Sequence, residues 1–193
     1  MKKIGITGSI GAGKSIVSKF LKTMHYPVYD SDYWAKHLMN NNADIRHALS
    51  TRFGENTYTN IGLNKAFLAE QIFNNKENLT FVNSIVHPIV GQHFLQWAES
   101  QQSELIFIES AILFSSGFNK IINEIIFVDA PQQIKLQRAM IRDNATNEAI
   151  MARINNQIIE ENTARQNSNY IIINDNKTLI IPQILSILNS ING

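Results

Sequence analysis

The chain has 193 residues, 44% hydrophobic and 17% charged, with a formal net charge of +1 and no cysteine. That length fits one compact domain with room for a small insertion, and the apolar content suffices for a core without covalent staples. The near-neutral charge offers no global field for nucleic acid, and the missing cysteines exclude disulfides, thiolate catalysis and cysteine-ligated zinc. No apolar run is long enough to span a membrane, and small and polar residues followed by Lys14 interrupt the opening too early for a secretory signal. A cytoplasmic protein with neither nucleic-acid nor membrane partners is expected.

Residues 3–7 read as a short buried strand, followed by a glycine-rich turn and a helix over 14–24 with Val17, Phe20, Leu21 and Met24 on one side. Pro27, Val28 and Tyr29 suggest a second strand, ended by Asp30-Ser31-Asp32. Helical patterns over 44–53, 64–73 and 77–97 follow with no convincing strand among them, and Pro88 is expected to kink or divide the last. Strands are then expected at 104–109, 124–129 and 170–173, and helices at 132–141, 147–163 and 182–191. Strands rich in Ile, Phe and Val alternating with helices predict an α/β fold: a doubly wound, parallel five-stranded sheet with helices on both faces. The expected organisation is a nucleotide-binding core of residues 1–35 and 103–193, with a lid at about 139–150, and a helical substrate-binding insertion of residues 36–102.

The strongest motif is Gly8-Ser9-Ile10-Gly11-Ala12-Gly13-Lys14-Ser15, which satisfies G-x-x-x-x-G-K-[ST] between a predicted strand and a predicted helix. Its glycines allow backbone angles that turn successive N–H groups toward an anion, and the following helix adds its positive end. Lys14 would reach the β- and γ-phosphates of a nucleoside triphosphate, and the Ser15 hydroxyl would ligate Mg²⁺. Gly8, Gly11, Ala12, Gly13, Lys14, Ser15 and Ile16 are the expected nucleotide cradle. A chain of this size without D-x-x-G or N-K-x-D is unlike a GTP-binding switch, and the helical insertion favours a small-molecule kinase. Asp30 and Asp32 leave the carboxyl end of a strand, where the binding crevice of a parallel sheet lies. Either could serve a hydroxyl acceptor or Mg²⁺, and either could cap the helix starting near Tyr33.

From these residues outward the chain resembles the dephospho-coenzyme A kinases. The opening I-G-I-T-G-S-I-G-A-G-K-S is similar to that family's T-G-G-I-G-x-G-K-S loop, and Asp30-Ser31-Asp32 to its D-A-D. Phe53-Gly54 and Gly62-Leu63-Asn64 continue the match, and Ile85-Val86-His87-Pro88 resembles its I-x-H-P element. Glu109-Ser110-Ala111-Ile112-Leu113-Phe114 resembles D-x-P-L-L-F, Arg138 and Arg142 fall in the arginine-bearing helix and lid, and residues 169–174 resemble A-D-x-V-I-x-N. Ser115 stands where the family usually has Glu, Glu109 where Asp is common, and Ile16 where Thr is frequent.

The resemblance implies transfer of the ATP γ-phosphoryl group to the ribose 3′-hydroxyl of dephospho-coenzyme A. It implies Asp32 as general base supported by Asp30, Arg142 closing from the lid over the triphosphate, and Arg138 sharing that work. Thr7 and His87 become candidate substrate contacts, and Glu109 a candidate partner of Mg²⁺ through water. A monomer or weak homo-oligomer is expected. Another small-molecule or nucleoside monophosphate kinase is the alternative, and a nonenzymatic nucleotide-dependent switch a more distant one.

Overall fold

Alternation of apolar side chains along a strand sends successive residues to opposite faces of a sheet, so a strand apolar at every position must be covered twice. Several segments of this chain have that character, and in the structure, a computed structural model describing residues 1–73 and 75–192, they form its central sheet. In chain order the first elements are β1 (Lys2–Thr7), α1 (Lys14–Thr23), β2 (Val28–Asp30), α2 (Ser31–Asn41) and α3 (Ala43–Phe53). Next come β3 (Tyr58–Thr59), β4 (Gly62–Leu63), α4 (Lys65–Phe73), α5 (Lys76–Glu99), β5 (Leu105–Glu109) and β6 (Glu124–Asp129). The chain closes with α6 (Gln132–Asp143), α7 (Asn147–Asn156), α8 (Ile158–Asn167), β7 (Tyr170–Ile173) and α9 (Ile180–Asn192). Two units are distinguished: Met1–Tyr29 together with the chain from Gln101 onward, and Asp30–Ser100.

The first unit is built on a five-stranded parallel sheet of order β2-β5-β1-β6-β7. Register brings Ile6 of β1 beside Glu109 of β5 on one side and Ile126 of β6 on the other. Ile4, Ile6, Leu105, Phe107, Ile126, Val128 and Ile172 share one face and pack with Val17 and Leu21 of α1 and Ile184, Ile187, Leu188 and Ile191 of α9. Residues of opposite parity face the other way: Arg165 of α8 lies over the Phe127 ring, and a Cβ on Gly5 would strike Leu113 and Ile122. The outer edge of β7 is stopped by Gln183, whose side-chain amide accepts from Ile173 N and donates to Ile173 O, both at 2.9 Å. A side chain that mimics a neighbouring strand blunts an edge otherwise open to pairing.

The second unit buries Leu38, Ile45, Leu49, Leu68, Val82, Val86, Val90 and Phe94 among its helices. It differs from the expected all-helical block by a two-stranded antiparallel hairpin, Tyr58–Thr59 with Gly62–Leu63. The hairpin is fixed to α2, with Tyr58 Oη donating to Met39 O at 2.7 Å and Leu63 N donating to Asn40 Oδ1 at 2.9 Å. Strands of two residues carry no periodicity to read. Two further departures concern helices. Pro88 sits inside the continuous α5 and does not divide it, because Pro88 and Ser84, whose carbonyl it leaves unbonded, lie on the exposed side. The expected helix over 147–163 breaks at Gln157, and the apolar face of Ile150 and Ile154 does not continue to Ile158, which is half exposed.

No helix among the described residues is long and apolar enough to cross a membrane. Phe107, fully buried at the middle of β5, should be the sheet's most sensitive packing point. Phe107→Ala should lower unfolding free energy by about 3–5 kcal/mol in urea titrations, shifting the midpoint and leaving the slope unchanged.

Candidate active site

β1 runs into the Gly8–Ser15 loop, and the loop runs into α1. Gly8, Gly11 and Gly13 have φ of 150°, 75° and 104°. At Gly11 and Gly13 the constraint is also spatial: a Cβ would lie 2.2 Å from Lys135 O and 2.1 Å from Asn174 Nδ2 respectively. The loop's carbonyls are engaged by side chains. Lys14 Nζ donates to Gly8 O at 2.6 Å and to Ser9 O at 3.3 Å. Arg138 Nη1 donates to Gly11 O at 3.5 Å, and Asn174 Nδ2 to Ala12 O at 2.8 Å. Each peptide plane carries its N–H opposite its C=O, so the bond that holds Ala12 O also fixes the direction of the Gly13 amide.

Among the described residues no protein acceptor takes the N–H groups of Gly11, Gly13 or Ser15. Helix α1 begins without a side-chain cap, whereas Asp30, Asn42, Asn75 and Thr146 cap α2, α3, α5 and α7. Uncapped amides at a helix start, beside an ammonium and a glycine nest, form an anion site of the shape and charge of a polyphosphate. Ser15 is exposed in the first turn of α1 and its hydroxyl has no partner among the described residues, which suits a hard cation held partly by water and phosphate oxygens. Glu109 ends β5 one strand away. Among the described residues no three His, Cys, Asp or Glu side chains converge on a common point, so these residues would hold a cation only together with other oxygen ligands. Thr7 and Ser9 are buried at the base of the loop with hydroxyls that find no partner among the described residues, a polar reserve for a ligand.

Side chains outside the motif brace this cradle. Arg138 Nη2 also donates to Asn174 Oδ1 at 3.0 Å and to Asn176 Oδ1, tying α6 to the segment after β7. Lys135 Nζ donates to both carboxylate oxygens of Glu161, at 2.7 and 2.9 Å, with side chains only 6% and 13% exposed. Removing one partner of such a buried pair destabilises by about 3–5 kcal/mol, because the other charge stays behind. Glu160 accepts from Phe114 N at 2.7 Å and Ser115 N at 2.9 Å, so a carboxylate does stand at the turn where Ser115 itself supplies none. Gln157 Oε1 accepts from Ile10 N at 2.8 Å. Thr7, Gly8, Ser9, Ala111, Gln157 and Glu160 line a crevice too narrow to admit a water-sized group.

Arg142 is bound to the neighbouring Asp143 through Nε at 2.7 Å and Nη2 at 3.1 Å, and Arg153 of α7 donates to the same carboxylate at 2.9 Å. The hydrogen bond from Arg142, then the charges of both arginines, hold the Asp143 carboxyl below its usual range. Asp30 is the cap of α2, accepting from Tyr33 N at 2.9 Å. Asp32, in the first turn, is exposed and its carboxylate has no partner among the described residues. His87 is half-buried on α5, and burial pushes its imidazole below the usual value. The second unit also holds an apolar cleft of about 230 Å³ among Met39, Leu63, Leu68 and Ile72, rimmed by Lys36 and Lys65. Lys135, Glu161, Glu160, Gln157 and Asn176 were not singled out by sequence reasoning; only Asn174 lay in a motif already noted.

The family model described as "CoaE: Dephospho-CoA kinase" matches residues 2–179. A dephospho-CoA kinase of Porphyromonas gingivalis is 42% identical over 191 residues, covering 99% of this chain and 95% of the relative. One of Listeria monocytogenes is 34% identical over 182 residues, covering 92% and 90%. Among solved structures, TT1252 from Thermus thermophilus has a TM-score of 0.82 at 28% identity, covering 98% of this chain and 95% of that one. A dephospho-CoA kinase from Campylobacter jejuni superposes at a TM-score of 0.72 and 23% identity over 99% and 98% of the chains, a likeness of fold.

Gly11→Ala, which meets Lys135 O and a left-handed backbone at once, should raise the Kd for a fluorescent ATP analogue about tenfold or more. His87 gives a second expectation. Its folded imidazole resists protonation while the unfolded one titrates near 6.5, so the unfolded state binds more protons and stability falls as pH drops below that value. Thermal midpoints measured from pH 7 to 5 should decline less steeply in His87→Gln; an identical slope would assign the loss to other groups.

Proposed function

The chain belongs to the dephospho-CoA kinase family, and on that premise we propose how its residues transfer the γ-phosphoryl group of ATP to the ribose 3′-hydroxyl of dephospho-coenzyme A. The products are coenzyme A and ADP, and the step completes coenzyme A synthesis. The observation that carries the reading is the phosphate loop itself: carbonyls engaged by Lys14, Arg138 and Asn174, and amides of Gly11, Gly13 and Ser15 without protein partners among the described residues.

In this reading the loop amides and Lys14 bind the triphosphate, with Lys14 moving from the Gly8 and Ser9 carbonyls to the β- and γ-oxygens. Ser15, with Glu109 through water, would hold Mg²⁺, which supplies charge neutralisation on the phosphates. Asp32 is the general base. The division of labour with Asp30 follows from the capping bond: Asp30 is occupied by Tyr33 N, and Asp32 keeps an unengaged carboxylate for the hydroxyl proton. Arg142 leaves Asp143 and turns to the transferring group, giving charge stabilisation while the lid excludes water as a competing acceptor. Arg138 stays with Gly11 O and holds the nucleotide side of the cradle.

The second unit serves the acceptor. Its apolar cleft rimmed by Lys36 and Lys65 has the chemistry for an extended, weakly polar arm joined to an anionic group, and His87, held neutral by burial, offers a hydrogen bond without adding charge. The same reading makes the protein a cytoplasmic monomer or weak homo-oligomer.

An acceptor panel scored by ADP release tests the assignment. Dephospho-coenzyme A should be turned over in preference to shikimate and nucleoside monophosphates; turnover of one of those instead would replace the substrate. Asp32→Asn should lower kcat by about 10²–10⁴ while ATP binding persists, and normal turnover would remove Asp32 as the base. Lys14→Ala should lose both activity and ATP affinity.

A further inference from the structure

In the phosphate loop the Ile10 N–H has a side-chain acceptor. It donates to Gln157 Oε1 at 2.8 Å, across 147 residues of chain, and Gln157 stands at the break between α7 and α8. The backbone of Gln157 is tied into both helices: its N–H donates to Ile154 O at 3.0 Å, and its carbonyl accepts from Glu161 N at 2.8 Å. The side chain of Ile10 enters the same region, packing against the buried cluster of Ala139, Ile150 and Ile154. One residue of the phosphate loop is therefore gripped at two points by α6, α7 and the junction that follows. Within the next turn, Glu160 holds the Phe114–Ser115 turn and Glu161 neutralises Lys135, whose carbonyl faces Gly11.

We propose that Gln157 is a positioning residue for phosphoryl transfer: its side-chain carbonyl holds the Ile10 N–H and sets the Ser9–Gly11 backbone in the orientation that aims the neighbouring amides at the triphosphate. The arrangement explains why this helix pair breaks where it does. A straight helix would carry Gln157 along the face of Ile150 and Ile154 into their apolar cluster, whereas the break presents its amide to the loop. A neutral amide suits the place, since a carboxylate there would repel the triphosphate the loop attracts. In-line transfer is sensitive to small displacements of the bound phosphate, so loosening this turn should act on kcat more than on fold stability.

Two replacements separate hydrogen bonding from packing. Gln157→Met keeps length and bulk but offers no strong acceptor. Gln157→Glu keeps an acceptor oxygen and adds charge. In Gln157→Met, kcat with dephospho-coenzyme A should fall about tenfold, KM for that acceptor should stay within twofold, and Ile10 amide exchange should accelerate about tenfold, with the melting point within a few degrees of the parent. Gln157→Glu should keep the Ile10 amide protected and recover most of kcat while raising KM for ATP. A Met variant with kcat within twofold of the parent, or a Glu variant no better than Met in kcat, overturns the proposal. The role rests on the kinase reading above, yet its test is separable. If the parent turns over no acceptor in the panel, that reading fails. Ile10 exchange and ATP affinity in the two variants still decide whether Gln157 sets the loop.

Discussion

Everything at the nucleotide end follows from the direction in which a few peptide planes point. An eight-residue loop has as many acceptors as donors, and with nothing to bias it the loop would present a mixed surface to a polyphosphate. Here the carbonyls of Gly8, Ser9, Gly11 and Ala12 are taken by Lys14, Arg138 and Asn174. The donors that remain give the concavity one sign. Two of these three acceptor-holding side chains lie more than 120 residues away, so the loop's electrostatics depend on α6 and the end of β7 being in place.

Those supports are themselves anchored beneath the surface. Lys135 and Glu161 neutralise one another in a nearly closed environment, and the carbonyl of Lys135 sets the space into which only Gly11 fits. Because a buried pair is stabilised largely by its own mutual attraction, it contributes little to the net stability of the fold and much to the definition of one arrangement. Asp143 plays a lighter version of this part at the surface, gathering Arg142 and Arg153 across the turn between α6 and α7. That exposed pairing is weak enough to exchange one anion for another.

The loop, the helix after it and the apolar strands were legible because each carries its signal within a few consecutive residues. β6 and β7 fall where Ile- and Phe-rich runs put them, at Glu124–Asp129 and Tyr170–Ile173. The braces were not legible for the opposite reason. Lys135 and Glu161 look like ordinary solvated charges on amphipathic helices, and only the pairing of residues 26 positions apart reveals their burial. Gln157 was hidden because the pattern of Ile150, Ile154 and Ile158 reads straight through the break that the Ile10 bond accompanies. The hairpin at 58–63 was missed because two-residue strands have no period. At Asp30 and Asp32 the sequence allowed either to be the cap, and a single bond to Tyr33 N distinguishes them.

The order of the sheet has a consequence for how such a chain comes into being. β1 precedes the other four strands of the sheet in the chain, yet it lies in the middle of β2-β5-β1-β6-β7, pairing with Leu105–Glu109 and Glu124–Asp129. During synthesis its apolar residues must therefore wait for over a hundred successors before either neighbour leaves the ribosome, and the Asn174 that fixes Ala12 O follows later still. Nonlocal closure of this kind slows folding and leaves a nascent sticky segment to be sheltered. The order of assembly thus makes the phosphate loop, which precedes four of the sheet's five strands, one of the last parts of this unit to become competent.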